Sequence, residues 1–328
     1  DFPVEFFDTA FNATTSEISV SSSNVKNWSC NIDINNYSSS KALSGTLTID
    51  KIGNRAVNKK YKLGYIPQSS VGTVSVQFPN IDRYGKYPID YTVTSTDGKS
   101  YSYTSNLNFA LAQKQKGEVK IDGVLDKDEW NRDTALICDK ESDIYRLNKD
   151  WNWYGPEDKS AETMLKWDED NLYIAAEVTD DVYFQNETAA NSWRCDNIQF
   201  AVYIDDGRHI AMGQAGSNFE EISLTLTDGK PEIYRTKSRE GKTKLGYVTD
   251  NAELAVNQNG TKTTYEFKIS WRELLGEEYA AKPGNEVGFS ILFNENDGDG
   301  RMGWIEFASG IGRSKDANLF AFLKLTDN

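Results

Sequence analysis

The sequence predicts an all-β chain: an immunoglobulin-like β-sandwich over residues 1–113, then a larger antiparallel β-sandwich over 117–328. Three observations predict it. Short segments that alternate apolar and polar residues recur along the whole chain. A polar stretch, "LAQKQKGE", interrupts them and sets the boundary near Gln113 to Gly117. Only one segment carries a helix signal. Alternation with period two marks half-buried strands, and polar turn residues between them mark antiparallel neighbours.

In the first part the strands are expected at "EISVSSS", "WSCNIDINNY", "GTLTIDKI", "KKYKLGYIP" and "TVSVQFP". A hairpin, "IDYTVTSTDGKSYSYT", turning at Asp97-Gly98, completes it. Strands so spaced suit an immunoglobulin-type sandwich. In the second part Leu172, Ile174, Ala176 and Val178 share one face, as do Tyr265, Phe267, Ile269 and Trp271, and Val287, Phe289, Ile291 and Phe293. Ile198, Phe200, Val202 and Ile204 alternate with Asn197, Gln199, Ala201 and Tyr203. A one-residue slip would bury the polar set, so the register is well specified. Ser270 to Glu273 fits a capping box ahead of "LLGEE", giving a short helix or turn. Trp130, Trp167 and Trp271 fall in repeating apolar patterns and are expected in the core.

The chain has 328 residues, with 36 Lys plus Arg against 50 Asp plus Glu and a formal net charge of −14. That balance repels nucleic-acid phosphates and anionic lipid. No apolar run approaches the roughly 20 residues of a membrane helix, so membrane insertion is not expected. The sequence opens at "DFPVEFF", read as a mature or excised piece with further domains covalently attached. Cys30, Cys138 and Cys195 are widely spaced without metal-binding spacing. Three free thiols are expected, with a Cys138–Cys195 bridge left open. Asn-x-Ser/Thr occurs at Asn12, Asn27, Asn36, Asn186 and Asn259, a pattern that chance explains in an Asn- and Ser-rich chain.

The segments "KIDGVLDKDEW", "AETMLKWDEDNLYIAAEVTDD", "SWRCDNIQFAVYID", "YEFKISW" and "EVGFSILFNENDGDGR" follow one another in an order that resembles carbohydrate-binding module family 9. That family's β-sandwich is found on secreted xylanases and related proteins. The resemblance runs from about Gly117 to Leu325. It implies non-catalytic binding of a plant-type polysaccharide or oligosaccharide such as xylan or cellulose. It further implies an extracellular, secreted or cell-surface location, a sugar ring held between two Trp side chains, and structural calcium. Trp193 matches the first Trp and Gln199 the polar residue beside it. The second Trp is expected in the loop before the last strand, which reads "ASGIGRSKDANLF" without one. The Arg expected on a middle strand falls near Glu221.

An aromatic face takes the axial C–H groups of a pyranose, and amides and charged groups take its hydroxyls. Trp193, Arg194, Gln199 and Asn294 supply those types. The alternative is that Trp193 caps the core edge and binds nothing. Trp151 and Trp153, with Tyr154 in "NKDWNWYGPEDKS", form a second aromatic cluster that would replace the missing Trp or cover a sheet edge. For calcium the expected ligands are Asp180, Asp297 and Asp299. The last two sit in "ENDGDGRMGWIE", a loop that approaches a calcium-binding pattern but also fits a plain Asp- and Gly-rich turn. Enzyme readings fare poorly, because His209 is the one histidine and no Gly-x-Ser-x-Gly elbow or phosphate loop is present. His209 and Met212 are too close in sequence to be axial to one haem iron.

Overall fold

The computed structural model describes residues 13–22, 27–36, 38–79, 85–204, 218–239, 243–313 and 315–327. His209, Met212 and Asn12, and the side chains of Cys30 and Trp28, lie outside the described residues. The chain divides into two compact units, Asp1–Asn108 and Phe109–Asn328.

The first unit contains β1 (Ala13–Ser22), β2 (Asn27–Asn36), β3 (Leu43–Ile52), β4 (Arg55–Ile66), β5 (Ser70–Pro79) and β6 (Gly85–Ser95), and the start of β7 (Ser100–Lys114). One antiparallel sheet runs β1-β2-β5 and another β4-β3-β6. Period-two burial sends Ile32, Ile34 and Val76 inward from the first sheet, and Leu47, Ile49, Ile89, Tyr91 and Val93 from the second. The turn between β6 and β7 is the one expected at Asp97-Gly98. Gly98 takes a φ of 88° and the Ser95 amide donates to the Lys99 carbonyl at 2.8 Å. Asn36 is no glycan acceptor: its buried side-chain Nδ2 donates to the carbonyls of Lys41, Ile66 and Pro67.

The second unit begins inside β7, whose residues Phe109–Gln113 pair in parallel with the last strand. The polar stretch thus starts as a strand of this unit, and the units part a few residues before the expected boundary. Small edge strands β8 (Leu136–Cys138) and β9 (Ile144–Arg146) precede β10 (Lys159–Trp167), β11 (Asn171–Asp180), β12 (Ile198–Tyr203), β13 (Glu220–Thr227), β14 (Lys230–Lys237), β15 (Gly246–Tyr247), β16 (Ala252–Asn259) and β17 (Lys262–Ser270). A single-turn helix α1 (Trp271–Leu275), capped as expected by Ser270 Oγ accepting from the Glu273 amide, leads to β18 (Glu286–Glu295), β19 (Gly303–Glu306) and β20 (Ala321–Thr326).

Two layers result. One runs β16-β17-β11-β10-β8. The other runs β15-β14-β13-β12-β18, with β19 and β20 sharing the far edge of β18. Ile174, Phe267 and Ile269 of the first meet Ile198, Phe200, Phe289 and Phe293 of the second in one core. Trp130, Trp167 and Trp271 are buried as expected. The other face of β12 is also covered: Asn197 and Gln199 are each 3% exposed and Ala201 is 0% exposed. That covered outer face positions the site. Cys138 and Cys195 are both free and buried, so the bridge left open between them is absent.

Candidate functional site

A two-turn 3₁₀ helix, Ala189–Arg194, delivers Trp193 to the start of β12. The helix is fixed from below. Asn197 Nδ2 donates to Ser192 Oγ at 3.2 Å, and Gln185 Nε2 donates to the carbonyls of Ser192 and Asp196. Trp193 itself is half-buried and lines a cleft of ≈ 600 Å³ together with Gln199, Glu221, Tyr234, Lys237 and Arg301. The cleft floor is a chain of side-chain hydrogen bonds across three strands. Gln199 Nε2 donates to Glu221 Oε1 at 2.9 Å, and Asn294 Nδ2 donates to Gln199 Oε1 at 3.0 Å. Thr236 and Lys315 also donate to Glu221, the latter at 2.6 and 2.7 Å. Such a fully bonded network holds its members in one arrangement.

Arg301 stands against the indoles. Its guanidinium lies 5.1 Å from the Trp193 ring and 4.6 Å from the Trp304 ring, and its Nε donates to Asn294 Oδ1 at 2.8 Å. Burial lowers its pKa to about 10, partly offset by Glu221. Trp304 is fully buried and stacks on Tyr145 at 4.4 Å.

Of the residues expected at the site, Trp193 and Gln199 line the cleft and Asn294 supports it from behind. Arg194 is exposed, with its guanidinium 5.5 Å from the Trp193 ring, and is not part of the lining. Trp151 and Trp153 do not reach the cleft. Trp151 is 5% exposed and packed on Gly303, where any Cβ would lie 2.8 Å from its ring; Trp153 spends its Nε1 on the Lys159 carbonyl. The loop before β20 does wall the cleft, but with Gly312 and Lys315 in place of a Trp. Tyr234 and Arg301 are lining residues that sequence reasoning missed. Arg301 ends the segment "EVGFSILFNENDGDGR", whose motif character lies in its acidic residues, and Tyr234 lies on β14 outside any motif; only the fold brings the two to Trp193.

Beneath the cleft lies a cluster of buried charge. Lys159 at the start of β10 is fully buried, and its ammonium contacts Asp180, Asp196 and Glu295, the last at 2.9 Å. Asp196 also accepts from the amides of Phe184 and Asn296 and so ties the Trp193 turn to this cluster. Carboxylate oxygens of Asp180, Glu295 and Asp297 lie within 4.8 Å of one another. Burial raises the pKa values of Asp196, Glu295 and Asp297. Glu295 Oε1 and Asp297 Oδ1 are buried without a hydrogen-bond partner. An all-oxygen donor set with orphaned buried oxygens and more carboxylates than Lys159 can balance fits a hard cation such as calcium. Asp299, expected among the ligands, is exposed and outside the cluster; Glu295 stands in its stead. The reason is local: Asn296 Oδ1 accepts from the amides of Gly298 and Gly300 and folds the loop so that Glu295 and Asp297 face inward.

The chain is similar to endo-1,4-beta-xylanase A of Thermotoga maritima, 24% identical over 246 residues, covering 70% of this chain and 20% of the xylanase. It is similar also to the enzyme of the same name from Thermotoga neapolitana, 24% identical over 279 residues, covering 77% of this chain and 23% of the relative. The chain thus spans about a fifth of the length of these relatives. Among solved structures, a carbohydrate binding module family 9 from Caldicellulosiruptor kristjanssonii in complex with cellotriose gives a TM-score of 0.48 at 17% identity, covering 67% of this chain and 95% of that one. A putative carbohydrate-binding protein from Bacteroides uniformis gives 0.46 at 8% identity, covering 66% and 97%. The family model described as "Carbohydrate family 9 binding domain-like" matches residues 121–328, more than half of the chain, and the chain therefore belongs to that family.

Proposed function

We propose that this chain is a non-catalytic glycan-binding region of a larger, secreted, glycan-active protein, and that it takes plant-type polysaccharide or its chain ends in the Trp193 cleft. The observation that carries the reading is a half-buried indole opening onto a cleft whose floor is a fixed array of amide and carboxylate groups. Trp193 packs against the axial C–H face of a sugar ring, and Tyr234 lends a second aromatic surface. Gln199 and Glu221 accept from hydroxyls through their side-chain oxygens, while Asn294 holds Gln199 and Arg301 in place. No covalent step is involved. Binding of this kind raises the local concentration of attached domains on an insoluble substrate.

Calcium belongs to the same reading as a structural ion. Asp180, Glu295 and Asp297 would hold it, and it would neutralise carboxylates that Lys159 alone leaves unbalanced. The first unit is read as an immunoglobulin-like spacer, in keeping with its two antiparallel sheets.

A second reading, a structural or protein-interaction sandwich without a sugar site, is favoured by one observation. The Arg301 guanidinium already lies 5.1 Å from the Trp193 ring. Retention on insoluble cellulose and xylan separates the two. Depletion of the protein from solution supports the glycan reading, and full recovery in the supernatant from both solids supports the other.

A further inference from the structure

The cleft is cationic in an acidic chain. Against a formal net charge of −14, its lining carries Arg235, Lys237, Arg301 and Lys315 and a single carboxylate, Glu221. Two of the cations are neutralised within the fold. Arg235 pairs with Glu220 and Glu273, and Lys315 with Glu221. Lys237 and Arg301 make no ion pair among the described residues. Lys237 lies over the Phe219 ring at 5.1 Å. Arg301 has the neutral Asn294 amide as its hydrogen-bond partner and two indoles as its surroundings.

Partly buried cations without a direct ion pair are unfavourable, and here nearby carboxylates, Glu221 for both and Glu220 for Lys237, offset the cost only in part. Burial lowers the pKa values of both groups, the mark of charge held where water is scarce. A neutral sugar does not relieve this, because its hydroxyls are already matched by Gln199 and Glu221. An anion does. Planar guanidinium beside a flexible ammonium is an arrangement suited to a carboxylate, and charge-assisted bonds to it are about twice as strong as neutral ones.

We propose that the cleft selects carboxylate-bearing glycans, with Lys237 and Arg301 receiving the carboxylate of a uronic acid unit while Trp193 packs against a ring of the same chain. The inference rests on the glycan reading above and narrows its ligand class. The overall negative charge of the chain then repels polyanions at large, and the cleft admits an acidic unit only where an aromatic surface and hydroxyl partners accompany it.

The test is calorimetric titration of the whole chain with a xylo-oligosaccharide bearing one glucuronic acid, and with the same oligosaccharide after its carboxyl group has been reduced to the alcohol. The acidic form is expected to bind roughly tenfold more tightly, the effect of one charge-assisted hydrogen bond. That ratio is expected to shrink in high salt and to fall towards one in Lys237→Met. Equal affinity of the two forms, or weaker binding of the acid, overturns the inference and leaves the glycan reading standing. Binding of neither form, nor of any neutral glycan, by a folded chain overturns both.

Discussion

Trp193 and Lys159 show how differently two single residues enter the sequence. Trp193 announces itself, because a large indole just ahead of an alternating strand is under no burial requirement. Its partners do not: Arg301 and Tyr234 lie on a turn and a strand that sequence order alone does not bring beside it. Lys159 was legible in hindsight by counting back in twos from Trp167 through Leu165, Thr163 and Ala161, which puts an ammonium on the core face of β10. Replacing it, as in Lys159→Met, strands Asp180, Asp196 and Glu295 without their cation. A cost of about 3–5 kcal/mol is expected in denaturant unfolding, as for other broken buried ion pairs. A change within 0.5 kcal/mol of wild type would show that those carboxylates are balanced by something else.

At the scale of elements, most of the fold was written in alternation. β10, β11, β12, β17 and β18 all fall where apolar and polar residues alternate, because each must hide one face against the other layer. What alternation could not show is that the outer face of β12 is covered too. Asn197 and Gln199 read as solvent-facing polar residues, yet they are buried under the Trp193 turn and bonded to their neighbours on β13 and β18. The site is built from residues whose polarity suggested the surface. The loop before β20 illustrates a substitution of device. A Cβ at Gly312 would lie 2.3 Å from the Trp304 ring, so close approach of the backbone leaves no room there for any side chain. Gly312→Ala is expected to displace Trp304, and Arg301 with it, and to weaken glycan binding measured by titration; unchanged affinity would show that this wall of the cleft is not used. In β12 itself, Phe200→Ala removes a fully buried ring and should cost about 3–5 kcal/mol of stability. A loss below 1 kcal/mol would mean that the two layers do not meet there.

Across the whole molecule the buried charge cluster couples fold to site, because Asp196 joins the Trp193 turn and Glu295 follows Asn294 in β18. If calcium sits at Asp180, Glu295 and Asp297, chelation should lower the melting temperature, since an ion at 100 times its dissociation constant stabilises the folded state by about 2.7 kcal/mol. Identical melting curves with and without chelator would remove calcium. The measurement closest to the central claim is titration of the intact chain with soluble cello- and xylo-oligosaccharides, run in parallel on wild type and Trp193→Ala. Wild type is expected to bind with a dissociation constant of roughly 10⁻⁵ to 10⁻³ M, about 4 to 7 kcal/mol, and the variant to lose that affinity while melting as a folded protein. No binding of any glycan by wild type, together with a variant destabilised by the about 3–5 kcal/mol of a buried Trp truncation, would contradict it and leave Trp193 as a lid on the sheet.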